Sequence, residues 1–289
     1  MLCLENCLII YWRKLLICLR KYGMKWARIL PFTKPGKDSS DPGNYRPIAL
    51  TSHFGKLMEK IIVGRLNYFL EYINPLKGYQ TGFRRCKSTT DALVKVCNEI
   101  EKSLIMKEVM VAVFLDIEKA YDTMWREGLL IKLGKLGING KMYNYILDFL
   151  SQRSIRVKVG DAVSDEFIVE NGIPQGSVIS PILFNIMIND IYEKLGDSNK
   201  GLLYADDAVI WRRGRNISHV NNKIQKDIHV LEQWGIDWGF KFSISKSQVV
   251  YFTRKKVPET YKIMLYNQQL ERSEKFKYLG IWLDAKLTW

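Results

Sequence analysis

The feature that most constrains this chain is a nearly unbroken apolar run, "VMVAVFLDI" from Val109 to Ile117, in which Asp116 is the one polar residue. Such a β-branched, aromatic-containing run reads as a strand. Because it is apolar at every position rather than at alternate ones, it belongs centrally in a sheet with one or both faces covered. The acid at its end is out of keeping with that environment. A second acidic feature lies in "LLYADDAVIW" (202–211), where Asp206 and Asp207 stand side by side between two apolar stretches. Tight hairpins favour Asn-Gly, Asp-Gly or a glycine pair, because these accept positive φ cheaply, and no glycine is present here. Asp is also a common turn residue, so the stretch by itself fits a hairpin with an acidic tip equally well.

Composition narrows the partners. With 289 residues and 47% hydrophobic content, the chain can bury a sizeable core, which argues against disorder. Forty-four Lys and Arg against thirty Asp and Glu leave a formal charge of +14, suited to a polyanion such as nucleic acid or an acidic membrane surface. Arg13, Lys14, Arg20, Lys21, Lys25, Arg28, Lys34 and Lys37 follow one another with no intervening acid. That run is either a phosphate-binding surface or a solvated basic helix face. The five cysteines form no C-x-x-C pair and the three histidines are far apart, which gives no zinc set and favours a reducing compartment. An intracellular protein of the nucleus or cytoplasm, not secreted, is expected. Glu5, Arg13 and Lys14 interrupt the apolar amino terminus well short of the roughly 18 uncharged residues of a membrane span. No membrane partner is expected, no secretory signal is recognisable, and the segment reads as an amphipathic helix against the core.

No repeat, low-complexity tract or long linker divides the chain, so one compact unit is expected. Apolar spacing predicts a helix over Phe54–Ile73 and another starting at Ser88, with Asp91 as its capping-box acid. Two helices are predicted over Leu129–Leu136 and Met142–Leu150, then a hairpin turning near Gly160-Asp161. A helix opens at Ser180-Pro181, and another carries Val220, Ile224, Ile228 and Leu231. Strands are predicted around "SQVVYFT", "YKIMLY" and "KFKYLGIWLD". The order lacks a regular βαβ rhythm, which points to an α+β fold with an antiparallel sheet and helices on one side.

Asp116 closes one apolar strand as Asp206 and Asp207 close another, and strand ends can converge within a sheet. Three convergent carboxylates repel one another unless a multivalent cation neutralises them, and oxygen ligands suit Mg²⁺ or Mn²⁺. Two such ions roughly 3.5–4 Å apart would serve an in-line phosphoryl displacement. From spacing alone, Asp116 capping the next turn is the competing account.

Beyond spacing, "FLDIEKAYDTMW" (114–125), "NGIPQGSVISPILFNIMIND" (171–190) and "YADD" (204–207), in that order, resemble the palm motifs of reverse transcriptases, above all those of non-long-terminal-repeat retrotransposons. "LPFTKPGKDSSDPGNYRPIAL" (30–50) and "YQTGFRRCKSTTDAL" (79–93) resemble the fingers blocks of that family. "KSQVVYFT" (246–253) and "KFKYLGIWLD" (275–284) resemble its palm lysine motif and primer grip. Seven ordered blocks spanning nearly the whole chain make the resemblance specific.

The resemblance implies a right-hand polymerase fold, α+β, with fingers and palm, an antiparallel palm sheet backed by helices, and the thumb absent or truncated at "LDAKLTW". Residues 1–289 form one reverse transcriptase domain, with 1–107 and 126–170 mostly fingers and 108–125 and 171–289 mostly palm. The implied activity is RNA-directed DNA polymerase, adding deoxynucleotides to a primer 3′-hydroxyl with two Mg²⁺ ions, Mn²⁺ being an alternative. The implied partners are an RNA template, a DNA primer and deoxynucleoside triphosphates; no protein partner is indicated. Asp116, Asp206 and Asp207 match the metal carboxylates, with the Ile117 carbonyl as a further ligand. Lys246 matches a lysine that protonates the leaving pyrophosphate, and also reads as part of a basic turn. Lys34, with Lys37 as alternative, and Arg46 match triphosphate contacts. Tyr121 matches the aromatic position under the sugar, where a ring excludes a ribose 2′-hydroxyl. Gln175 and Gly176 match the bend near the nucleotide, and Tyr278, Leu279 and Gly280 the primer grip. Arg84, Arg85 and Lys87 are implied template contacts, which position a strand without reading its sequence. Two alternatives stay open: a catalytically silent nucleic-acid-binding remnant, and a group II intron maturase or telomerase-like reverse transcriptase.

Overall fold

The computed structural model describes residues 25–73, 76–195 and 201–288. The amino-terminal amphipathic helix expected above lies outside these residues. In chain order the elements are β1 (Trp26–Thr33), β2 (Tyr45–Leu50), α1 (His53–Tyr72), α2 (Thr89–Ile105), β3 (Val109–Asp116), α3 (Arg126–Lys135) and α4 (Gly140–Leu150). β4 (Arg153–Val159), β5 (Ala162–Val163), β6 (Phe167–Val169), α5 (Ser180–Met187), β7 (Gly201–Tyr204), β8 (Asp207–Gly214) and α6 (Ile217–Trp238) follow. The chain closes with β9 (Gln248–Phe252), β10 (Met264–Leu265), β11 (Gln268–Gln269), β12 (Glu271–Ser273), β13 (Lys275–Tyr278) and β14 (Ile281–Asp284). Among the described residues no helix is long and apolar enough to cross a membrane.

Two compact units emerge rather than one, the first drawn from Met1–Ile73 and Met124–Leu183, the second from Asn74–Thr123 and Phe184–Trp289. Residues 74–107 thus cluster with the unit that holds β3, and 171–183 with the other.

In the first unit the strands run β2-β1-β4-β5, with β6 also on β4. β1 pairs antiparallel with β2 and parallel with β4. Buried Arg126, at the start of α3, donates to the carbonyls of Val169, Asn171 and Gly172, so its guanidinium fastens the segment that leaves β6. A guanidinium is suited to this task because its donors fan out in a fixed plane.

The second unit is built on the sheet β12-β9-β3-β8-β7, with β3 in the middle as its sequence requires. All of its pairings are antiparallel except β12 with β9. Met110, Ala112 and Phe114 form one face of β3 and pack with Ala92, Val96 and Ile100 of α2 and with Tyr278 and Leu283 of the β13–β14 hairpin. Val111, Val113 and Leu115 alternate to the other face and are at most 3% exposed; α6 lies against β3 and β8 and contributes nothing to the first cluster. Helices therefore flank both faces, not one, because a strand apolar at every position leaves neither face fit for water.

Local signals explain the element ends. Ser88 caps α2 in a reciprocal box with Asp91, as the sequence predicts. Half-buried Arg212 of β8 grips Asp227 of α6 with two nitrogens, at 2.5 and 2.8 Å, fixing that helix to the sheet. The strand predicted at "YKIMLY" shrinks to two residues, β10, paired with equally short β11.

Candidate active site

The acids are brought together by strand register. Asp116, the last residue of β3, pairs directly with Asp207, the first of β8. β7 and β8 are joined by Ala205 and Asp206 alone, since Tyr204 pairs with Asp207. Asp206 is therefore the turn residue and Asp207 opens a strand, so only one of the two acids occupies the tip. In place of glycine, Ala205 takes the positive φ, +55°.

Past β3 the backbone runs beside residues 241–243. The Ser243 N–H donates to the Asp116 carbonyl and the Glu118 N–H to the Lys241 carbonyl, each at 2.8 Å. These bonds flank Ile117, whose own carbonyl takes part in neither. Lys246, on the same connection, sets its Nζ 2.9 Å from Asp116 Oδ2. Thus one ammonium faces three carboxylates, and the imbalance shows at Asp207. Its pKa is raised from 3.8 to about 6, first by desolvation, then by the charges of Asp206 and Asp116, with Lys246 pulling the other way. The side chain keeps an exposed face yet is crowded by protein on its remaining sides.

A donor set of carboxylates with unrelieved repulsion suits a hard divalent cation. Among the described residues, no three acidic, histidine or cysteine side chains already stand as a cage round one point.

Tyr121 lies in the same unit. Its ring stacks on Phe184, centroids 5.1 Å apart, and Phe184 meets Phe240 edge-on, which in turn stacks on Trp234. Burial, then the charge of Asp206, pushes its hydroxyl up, so it stays protonated. Tyr278 is buried against Phe114, so the block that resembles a primer grip presents its turn rather than this ring. Leu279 and Gly280 make that turn, both at positive φ. Arg84 donates to the carbonyls of Lys77 and Gln80 and braces its own loop, whereas Arg85 and Lys87 are exposed.

The remaining candidates belong to the first unit. Lys34 donates its Nζ to the Gly43 carbonyl at 2.9 Å across the β1–β2 loop. Lys37 is exposed on that loop, and Arg46 is exposed on β2. The Gln175 carbonyl accepts from the Ala49 N–H of β2 at 2.6 Å. At Gly176, φ is +107° and a Cβ would come within 2.9 Å of the Ala49 carbonyl, so only glycine fits there. Sequence reasoning missed Glu59 of α1. Only 1% exposed, its carboxylate accepts from Ser177 Oγ and from the N–H groups of Val178 and Ile179, pinning this loop from behind.

The profile of the reverse transcriptase (RNA-dependent DNA polymerase) family matches residues 33–283. A probable RNA-directed DNA polymerase from transposon BS of Drosophila melanogaster is 33% identical over 271 residues, covering 91% of this chain and 30% of that one. The RNA-directed DNA polymerase from the mobile element jockey of Drosophila melanogaster is 30% identical over 270 residues, 91% of this chain and 29% of that one. The chain thus spans about a third of the length of these curated relatives. In fold it is similar to the apo telomerase of Candida tropicalis truncated from its C-terminal domain, with a TM-score of 0.62 at 12% identity over 91% of this chain and 54% of the other. The Candida albicans telomerase in complex with a TWJ fragment of telomeric RNA gives a TM-score of 0.62 at 12% identity over 92% of this chain and 45% of the other. At that identity the likeness shows a shared mixed α/β polymerase fold alone. With the family profile covering most of its length and non-long-terminal-repeat retrotransposon polymerases as its relatives, the chain belongs to the reverse transcriptase (RNA-dependent DNA polymerase) family.

Proposed function

We propose that this chain carries the polymerase chemistry of a retrotransposon reverse transcriptase, extending a DNA primer on an RNA template. The observation that carries the reading is the register that sets Asp116 opposite Asp207 with Asp206 in the adjoining turn. Asp116, Asp206 and the Ile117 carbonyl would hold divalent metal, with Asp207 beside them. When bound, Mg²⁺ would supply activation of the primer hydroxyl and charge neutralisation at the α-phosphate and leaving pyrophosphate. Lys246 balances the Asp116 carboxylate and stands close enough to deliver a proton nearby. The stacked, protonated Tyr121 offers a flat wall for a deoxyribose. In the first unit, Arg46 and Lys34 are suited to phosphate oxygens, and Glu59 and Ala49 fix the bend that carries Gln175.

The test is Mg²⁺-dependent extension of a DNA primer on an RNA template by the purified chain beside its Asp206→Asn variant. Extension abolished by the substitution supports the reading. Salt-sensitive binding without extension by either protein supports instead a silent nucleic-acid-binding remnant. Tyr121→Val is expected to narrow the preference for deoxyribonucleotides over ribonucleotides in the same assay, and an unchanged preference would remove the ring from that role.

A further inference from the structure

Behind the Ala205–Asp206 turn lies a buried polar arrangement that phosphoryl transfer does not itself require. Gln80 and Asn185 are both fully buried, and both act on one glycine. Gln80 Oε1 accepts from the Gly82 N–H at 3.2 Å, and Asn185 Nδ2 donates to the Gly82 carbonyl at 2.7 Å. The Cα of Gly82 in turn presses on the catalytic hairpin. A Cβ there would fall 2.3 Å from the Ala205 nitrogen and 3.0 Å from the Tyr204 carbonyl carbon. Just before it, Tyr79 and Thr81 flank Leu203 of β7: the Leu203 N–H donates to the Tyr79 carbonyl, and the Thr81 N–H and Oγ1 both donate to the Leu203 carbonyl. Residues 79–82 therefore run as a rail along β7 and end under the turn.

The turn needs such support because Ala205, at φ +55°, occupies a region that L-residues with a Cβ avoid unless held. The two amides are costly core residues. Gln80 Nε2 and Asn185 Oδ1 find no hydrogen-bond partner among the described residues, and buried polar atoms left unpaired oppose folding. Apolar side chains would fill the same space more stably, so the amides are explained by what they hold.

We infer that Gln80, Gly82 and Asn185 are positioning residues that keep Ala205 left-handed and so fix where Asp206 stands relative to Asp116 and Asp207. The inference rests on the reading of these acids as metal ligands. Its test is Mn²⁺ binding to the whole chain, followed by electron paramagnetic resonance, with thermal melting as a check on folding. Asn185→Leu and Gln80→Met are each expected to weaken Mn²⁺ binding about tenfold, the scale on which groups behind metal ligands act. Adding Ala205→Gly, which takes positive φ without strain, is expected to restore binding in each, although the lost contacts stay lost.

Wild-type affinity in both single variants would overturn the inference. So would weakening that Ala205→Gly leaves uncorrected, because it would mark the amides as ordinary core. If one variant fails to fold, the other decides; failure of both, with or without Ala205→Gly, counts against the inference. Asp206→Asn separates the two levels: unchanged Mn²⁺ binding in that variant sinks the metal reading itself, whatever the amide variants do.

Discussion

At Asp207 the folded protein binds a proton more tightly than the unfolded chain, its pKa being raised to about 6 by desolvation and by Asp206 and Asp116. For an acid shifted upward, stability is lost as pH climbs from the unfolded value of 3.8 through about 6, where the crowded carboxylate must ionise. A divalent cation held at the proposed site would compete with that proton. Added Mg²⁺ should therefore raise the melting temperature more at pH 7.5 than at pH 5, and an equal rise at both would place the ion elsewhere. Glu59 makes a second residue-scale case. Glu59→Gln keeps the shape but loses charge assistance to Ser177 Oγ and two backbone donors, and should cost about 1–3 kcal/mol in denaturant unfolding. Its sequence signal is faint but present: an acid seven and eleven residues before Leu66 and Leu70 lies on the stripe that α1 buries. Asn185 gives no such signal, because α5 is apolar on every side and has no stripe from which a polar residue could stand out.

Elements differ in how openly the sequence declares them. α2 was legible to the residue because its cap is a local device: Ser88 and Asp91 satisfy backbone donors that any helix start leaves open. Ser88→Ala should cost about 1 kcal/mol, measured by chemical denaturation, with no shift in the denaturant slope. β3 was equally plain, as seven successive apolar positions ending in an acid suit a central strand that closes at the sheet's edge. By contrast β1 and β2 were not predicted as strands. Each carries a proline, Pro31 and Pro47, and these stand opposite each other in the hairpin. Proline cannot donate to a ladder and so demotes a strand in any pattern-based reading. The helix cover on the second face of the palm sheet was missed for another reason: the amphipathic pattern of α6 shows that it packs, not which side it packs on.

For the molecule as a whole, the +14 charge predicts that the proposed nucleic-acid binding is driven by counterion release. The logarithm of the binding constant should fall linearly with the logarithm of salt concentration. Replacing exposed Arg85 and Lys87 together by alanine should flatten that slope by about 1–2 without altering sequence preference. Arg84→Ala should act differently, lowering the melting temperature, because its guanidinium serves the carbonyls of Lys77 and Gln80. Composition shows an excess of basic residues but could not sort these neighbours, since a cation bound to its own loop and one facing solvent have the same letter in the sequence. The contact of Lys246 with Asp116 was similarly hidden, as 130 residues separate them.

The position of β3 between β8 and β9 also orders events in time. Both neighbours follow it in the chain, and the segment Met124–Leu183, which belongs to the other unit, is made before either. During synthesis, then, Asp116 emerges early and waits without its partner, and the ribosome must pass Phe252 before the sheet can close on both sides of its strand. The acidic centre is a late product of long-range pairing, so a nascent or prematurely ended chain carries all the basic residues of its amino-terminal third and no assembled cluster of acids.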